Sequence, residues 1–400
     1  MRLNKFFMLG LAGLAFAACS NDEDVNLNTL GDRVVKMSIS REVVTRAVDA
    51  PVSAGDVNSV ADATIYFVAG GGKVVGTREL TNEEITALNT TSNHTTEITC
   101  TKVDASALRA YVVANTKINN VTLNAATTAT LDASTANLTQ QNTKRTTADG
   151  ITADATNTAQ YTTLRGQSAS DFSKTPETND DVDPAEVIYE GSVTLAPIVC
   201  RLEIKGIRST TIDGATTASA DDVVAFTVEG IYINNFYPSG TLGGDEIDNR
   251  VSLGSDESKY SSSNYNSNGW SYATDYLNTS ATAVANSTTD FAVTVAENTT
   301  WARQLFAGEV PHIVVRLTGV KYESDADDAQ GVIKYLTITH YRNSNGALLP
   351  GVEAGKVYKI DEIVFNGNDL TDIPYQTTKT IEATVSIAAW TAENITPEFN

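Results

Sequence analysis

From Val34 to Trp390 the chain repeats one arrangement, short runs rich in Val, Ile, Thr and Tyr interrupted by Gly, Asn, Asp and Pro. β-branched and aromatic side chains fit a pleated, half-buried surface, and the interrupting residues are turn formers. Many such runs at short spacing, with little long helical periodicity, specify an all-β protein of the sandwich type. One example is Ala63-Thr64-Ile65-Tyr66-Phe67-Val68, then Gly70-Gly71-Gly72, then Lys73-Val74-Val75-Gly76, which reads as strand, turn, strand. No Gly-Lys-Ser/Thr follows the triple glycine, so a hairpin and not a phosphate loop is expected there.

With 400 residues the chain suits two or three domains, each large enough for a core of its own. Leu108 to Thr116 reads as a core strand, whereas Asn124 to Thr163 is dominated by Thr, Ala and Asn and is expected to hold loops with one weak helix near Ala133 to Gln141. A polar, acidic stretch from Ser168 to Pro184 precedes Glu186 to Gly191, and a domain boundary is expected near residue 192. Alternation restarts over Val193 to Lys205, with Pro197 marking an edge or a bend. Further strands are expected at Ala225 to Asn234, Phe291 to Ala296, His312 to Val320, Lys334 to Tyr341 and Val357 to Phe365. Between them, Val251 to Asn278 is rich in Ser, Asn and Tyr and contains Trp270; its aromatics either bind sugars or pack on the end of a sandwich.

The N-terminus carries an address. Arg2 and Lys5 form a positive start, Phe6 to Phe16 an apolar stretch, and Ala17-Ala18-Cys19 a small-small-Cys end. The span is too short to cross a bilayer as a helix, which takes about 20 apolar residues. Residues 1–18 therefore read as a lipoprotein signal peptide with Cys19 as the acylated residue; the alternative is an ordinary secretory signal with an incidental Cys. Ser20-Asn21-Asp22-Glu23-Asp24 resembles the acidic export tag of surface-exposed lipoproteins in Bacteroidetes, or is a solvated linker. Acyl chains on Cys19, at about 0.8 kcal/mol per buried CH₂, would hold the chain to a membrane until a cut released it.

With 28 Lys+Arg against 49 Asp+Glu the net charge is −21, which argues against nucleic acid and anionic membrane surfaces as partners. Cys100 and Cys200, in strand-like runs, are expected as buried free thiols rather than a disulfide. His94, His312 and His340 fall in unrelated segments and form neither a triad nor a zinc-ligand spacing; a hydrogen-bonded structural role is expected for His312 and His340. Asp325-Ala326-Asp327-Asp328 lacks a calcium-loop motif and reads as a solvated hairpin loop. No catalytic residue, metal or cofactor is expected, and the chain reads as a non-enzyme.

The two ends of the mature chain are more specific. Val35, Met37 and Ile39 alternate with Lys36, Ser38 and Ser40, giving an extended segment with one apolar face. Beyond it, Thr45-Arg46-Ala47 places a basic residue before a small one, a site for a trypsin-like protease whose buried carboxylate pairs with the guanidinium. Arg41 offers a second basic residue for such a cut. At the far end Ile381, Ala383, Val385, Ile387 and Ala389 share one face of Thr380 to Trp390. That run follows the turn-rich Gly367 to Tyr375, a segment able to let it swing free.

The signal ending at Cys19, the Thr45-Arg46-Ala47 junction, Ala110-Tyr111-Val112-Val113-Ala114-Asn115-Thr116 and Thr384-Val385-Ser386-Ile387-Ala388-Ala389-Trp390, in this order, resemble the Bacteroidales fimbrillin family, the stalk pilins of type V pili. The resemblance spans nearly the whole chain and departs from the better-known members at Asn124 to Thr163. It implies two transthyretin-like β-sandwich domains, at 47–192 and 193–372, after a propeptide at 19–46 and before a donor segment at 373–400. It further implies a lipidated precursor on the outer membrane, a cut after Arg46 by an arginine-specific protease, and loss of the Val35/Met37/Ile39 strand. The C-terminal strand of a second copy then fills the groove, giving a head-to-tail fimbrium with accessory tip and anchor pilins that supports adhesion or biofilm formation. A glycan-binding surface lipoprotein is the alternative.

Overall fold

The computed structural model describes residues 32–41, 59–90, 94–145, 159–175, 188–245, 247, 250–267, 279–284, 287, 289–294, 301–325 and 330–389. The N-terminal half contains β1 (Asp32–Arg41), β2 (Ala63–Ala69), β3 (Val74–Glu79), α1 (Asn82–Thr90), β4 (Thr95–Asp104) and β5 (Ala107–Ala114). It continues with α2 (Thr128–Asp132), β6 (Thr135–Asn137), α3 (Leu138–Asn142), β7 (Lys144–Arg145), β8 (Ala159–Gln160), β9 (Leu164–Gln167), β10 (Ser173–Lys174) and β11 (Ile188–Pro197).

The C-terminal half contains β12 (Val199–Ile204), β13 (Gly206–Ser209), β14 (Val223–Asn234), β15 (Ser239–Thr241), α4 (Ser262–Ser267), β16 (Thr279–Ser280) and β17 (Thr282–Ala283). After these come β18 (Phe291–Thr294), β19 (Trp301–Phe306), β20 (His312–Tyr322), β21 (Val332–Asn343), β22 (Lys356–Ile360), β23 (Ile363–Phe365) and β24 (Ile381–Ala389). The all-β sandwich expectation holds for both halves; the signal peptide lies outside the described residues.

In the first half one sheet, ordered β3-β2-β5-β9-β11-β1-β4 with β10 on β11, folds over on itself. The inward residues Ile65, Phe67, Ala110 and Val112 of one limb meet Val35, Met37, Ile39, Ile98 and Val193 of the other in a single core. Period-2 alternation produces this directly, since successive side chains of a strand point to opposite faces. The β2–β3 hairpin turns at Gly70–Gly72, where Gly71 and Gly72 have φ of 71° and 79°, the left-handed region that glycine enters without a Cβ penalty.

The second half pairs β16-β14-β20-β21-β24-β22-β12-β19 in one sheet and β17-β18-β13-β23 in another. The expected boundary near residue 192 falls inside β11, which is bonded to β1 as far as Leu195 and to β9 at Ala196 and Pro197. The chain leaves one sheet at Pro197 and enters the next at Val199, so the proline marks the bend. Likewise the run Val357 to Phe365 divides into β22 and β23, which belong to different sheets.

The Thr/Ala-rich region is more ordered than its composition suggests. It forms α2, β6 and α3, and β6 pairs with β15 of the other half in the register Ala136↔Gly240. Asn142 acts as a peptide mimic on the edge of β19: its Oδ1 accepts from Gln304 N at 2.8 Å and its Nδ2 donates to Gln304 O at 3.0 Å. Buried Leu131, Ala136 and Leu138 join the outer faces of β2 and β5 to the C-terminal core.

Candidate strand-exchange site

β1 is an interior strand. On one edge it runs parallel to β11, with Val35↔Tyr189, Met37↔Gly191 and Ile39↔Val193; on the other it runs antiparallel to β4, with Met37↔Ile98 and Ile39↔Thr96. Val35, Met37 and Ile39 are all 0% exposed. At roughly 1.5–3 kcal/mol each, these three side chains contribute about 5–9 kcal/mol of burial. β4 pairs with no other strand among the described residues, so β1 alone joins it to β11. A vacated β1 position is therefore a groove one strand wide, with ladder groups on both walls and an apolar floor.

Gly191 shapes that groove. A Cβ placed there would lie 2.6 Å from the Phe172 ring and 3.1 Å from Met37 Sδ, so the missing side chain makes room for both.

An arginine holds each end of the strand. The Arg33 guanidinium lies 4.4 Å from the Tyr189 ring centroid and donates to Ala107 O at 3.1 Å. Arg41 continues the inward alternation of Val35, Met37 and Ile39 and is buried. Its Nε donates to Leu88 O at 3.1 Å and its Nη2 to His94 Nδ1 at 2.9 Å, at the end of α1. Sequence reasoning treated Arg41 as a second cutting site and missed this role. The signal was its parity: a charged residue at an inward position of a strand must find partners.

The C-terminal strand has the same mixed pairing. Its first half runs parallel to β21, with Ile338↔Ile381 and Tyr341↔Ala383; its second half runs antiparallel to β22, with Tyr358↔Ile387 and Lys356↔Ala389. β24 is thus not free in this chain but docked on its own domain, which covers an otherwise exposed edge. The expected apolar face is divided. Ala383 and Val385 are buried, Ile381 is half-buried, and Ile387 is 42% exposed. Nothing is described of the Ala389 side chain.

The turn-rich segment before β24 is pinned as well. Thr371 bridges Tyr335, Lys334 Nζ meets Asp372 Oδ1 at 2.5 Å, and Tyr375 Oη bonds His312 Nδ1 at 2.8 Å. Burial, then the nearby His340 and Arg250, pushes the His312 imidazole down to about 4. His340 bonds Thr339 Oγ1, so each histidine has a hydrogen-bond partner. Cys100 and Cys200 are buried thiols not joined to each other in a disulfide, and burial pushes the Cys200 thiol up to about 12. Of the aromatics weighed for sugar binding, Tyr260 and Tyr265 are buried and packed edge-on to Tyr232, while Trp270 lies outside the described residues. Cys19, Arg46 and Ala47 also lie outside them.

No family model matches the chain, and no curated protein matches it. Solved structures do. A fimbrilin from Porphyromonas gingivalis W83 aligns over 89% of this chain and 97% of its own at a TM-score of 0.48 and 11% identity. A candidate cell adhesion protein from Parabacteroides distasonis ATCC 8503 aligns over 90% and 99%, at 0.48 and 14%. A C-terminally truncated tip fimbrial protein from Porphyromonas gingivalis aligns over 90% and 100%, at 0.32 and 11%. The structural neighbours of this chain are fimbrilins and candidate cell adhesion proteins of Bacteroidales.

Proposed function

We propose that this chain is a structural pilin subunit of a fimbrium stalk, and that it polymerises by protease-triggered donor-strand exchange. One observation carries the reading: β1, the first strand of the described residues, is an interior strand whose loss would open a groove between β4 and β11. In this reading the precursor is acylated at Cys19 and reaches the outer membrane. An arginine-specific protease then cuts between Arg46 and Ala47, and β1 departs. The apolar face of β24 from a second copy enters the groove by β-augmentation. Ile381, Ala383, Val385, Ile387 and Ala389 would face the floor that Val35, Met37 and Ile39 now cover. The mixed pairing of β24 supports this, because a strand that runs parallel to one neighbour and antiparallel to the other is what the β1 position accommodates. Each copy donates at one end and accepts at the other, so the contact is heterologous and extends into a filament. Accessory subunits would cap and anchor it, and adhesion is the outcome at the cell surface.

The test is limited trypsin digestion of the purified precursor. Wild type should acquire an N-terminus at Ala47 and then form a denaturant-resistant ladder of oligomers. Arg46→Ala should stay monomeric with β1 in place. A ladder from Arg46→Ala that still retains residues before Ala47 refutes strand removal.

A further inference from the structure

We propose that Arg41 is a retention latch, which keeps β1 seated after the chain has been cut and makes strand release a step distinct from cleavage. The proposal rests on the strand-removal reading above and adds to it the residue that controls the exit.

Arg41 is the last residue of β1 and is 2% exposed. Its backbone N donates to His94 O at 3.1 Å. Its guanidinium donates through Nε to Leu88 O at 3.1 Å and through Nη2 to Asn89 O at 3.5 Å and His94 Nδ1 at 2.9 Å. A guanidinium has donors only and keeps its proton, so the His94 Nδ1 atom accepts. Leu88 and Asn89 lie in the last turn of α1, whose carbonyls have no further helical N–H to receive and which carries the negative end of the helix dipole. The cation is thus placed where a helix C-terminus favours one. The helix is itself fixed beneath it: Leu88 is 0% exposed, and the Asn89 side chain bonds both Val60 N and Val60 O.

Withdrawing β1 therefore takes more than sliding three apolar side chains out of a groove. It removes a buried charge-assisted donor from two helix carbonyls and an imidazole at once, and charge-assisted bonds are the strong ones. The same burial shields Arg41 from proteolysis, because a protease must draw its substrate into an extended conformation within its own cleft. A cut downstream of Arg41 consequently leaves the latch attached to the strand it holds. None of the residues on the expected apolar face of the C-terminal strand, Ile381, Ala383, Val385, Ile387 and Ala389, carries a cation, so the latch belongs to the resident strand and the entering strand cannot rebuild it. The groove stays covered until a second copy competes for it.

The test compares wild type with Arg41→Met, which keeps the length and loses the donors, and Arg41→Lys, which keeps the charge and loses the fork. After limited trypsin cleavage, mass spectrometry of the gel-filtered protein follows the peptide that ends at Arg46. In the monomer fraction, before a second copy competes for the groove, wild type should retain it, and Arg41→Met should lose it about 100-fold faster, the loss of the two shorter hydrogen bonds, to Leu88 O and His94 Nδ1, taken at the low end; Arg41→Lys should fall between. Hydrogen exchange on the uncut chains reads the latch without any cut, and Arg41→Met should raise exchange in the last residues of β1 and of α1 while the β2 and β5 amides stay protected. Equal release rates or unchanged exchange at both places overturn the latch. If Arg41→Met fails to fold, Arg41→Lys decides by the same two readouts. Faster release and exchange with no oligomer ladder in any variant would leave the latch standing and refute strand exchange instead.

Discussion

Val385 and Ile387 are two residues apart on one face of β24, yet their present surroundings differ enough to separate folding from assembly. Val385 is 1% exposed and lines a small apolar cavity with Cys200, Leu202, Tyr341 and Tyr358, whereas Ile387 is 42% exposed. In Val385→Asp the domain loses about 1.5–2 kcal/mol of burial and must desolvate an unpaired carboxylate, so the total is about 4 kcal/mol or more. For a domain of this size that lowers the melting temperature by roughly 10 °C. In Ile387→Asp the carboxylate stays in contact with water, and the monomer should change by less than about 1 kcal/mol. After exchange the same residue would lie on a floor whose present occupants, Val35, Met37 and Ile39, are 0% exposed. A carboxylate there costs several kcal/mol; at about 4 kcal/mol the joint weakens roughly a thousandfold. Thermal melts of the uncut chains, run beside denaturing gels of the trypsin-treated ones, give both quantities. The expected pattern is a wild-type melt without a ladder for Ile387→Asp and a lowered melt for Val385→Asp. An Ile387→Asp melt lowered as far as that of Val385→Asp, or a ladder that survives the substitution, refutes β24 as the donor.

Two further outcomes follow from the packing. Gly191→Ala brings a methyl group to 2.6 Å from the Phe172 ring and 3.1 Å from Met37 Sδ, and should destabilise the N-terminal half by about 1–3 kcal/mol, measured by urea unfolding. His312 is depressed to about 4 from an ordinary 6.5, so below about pH 6.5 the unfolded chain binds a proton that the folded chain refuses. Its contribution is fully present above pH 6.5 and is lost as the pH falls towards 4. His312→Gln keeps an acceptor for Tyr375 and should flatten the urea midpoint over that window relative to wild type; identical pH profiles would refute the assignment.

Local alternation along the chain determined the class of fold, the β2–β3 hairpin, the inward face of β1 with Val35, Met37 and Ile39, and the shared face of Ile381, Ala383 and Val385 near the C-terminus. These properties depend on residues two apart along one strand, and a period of two is visible without partners. Tertiary structure alone decided who pairs with whom. That β1 lies between β11 and β4, one parallel and one antiparallel, depends on hydrogen bonds across large sequence separations, which no local pattern encodes. For the same reason a single alternating run, Val193 to Lys205, is divided between two sheets at Pro197. In the Thr/Ala-rich region the sequence shows only loops and one weak helix, because the pairing of β6 and the anchoring of Asn142 come from β15 and Gln304, more than a hundred residues away, and not from a period of its own. Arg41 shows the limit most clearly. Its parity placed it inward from the sequence alone, but whether an inward arginine is a cutting site or a clamp depends on the carbonyls of Leu88 and Asn89 and on the His94 ring, groups that only folding brings within hydrogen-bond reach.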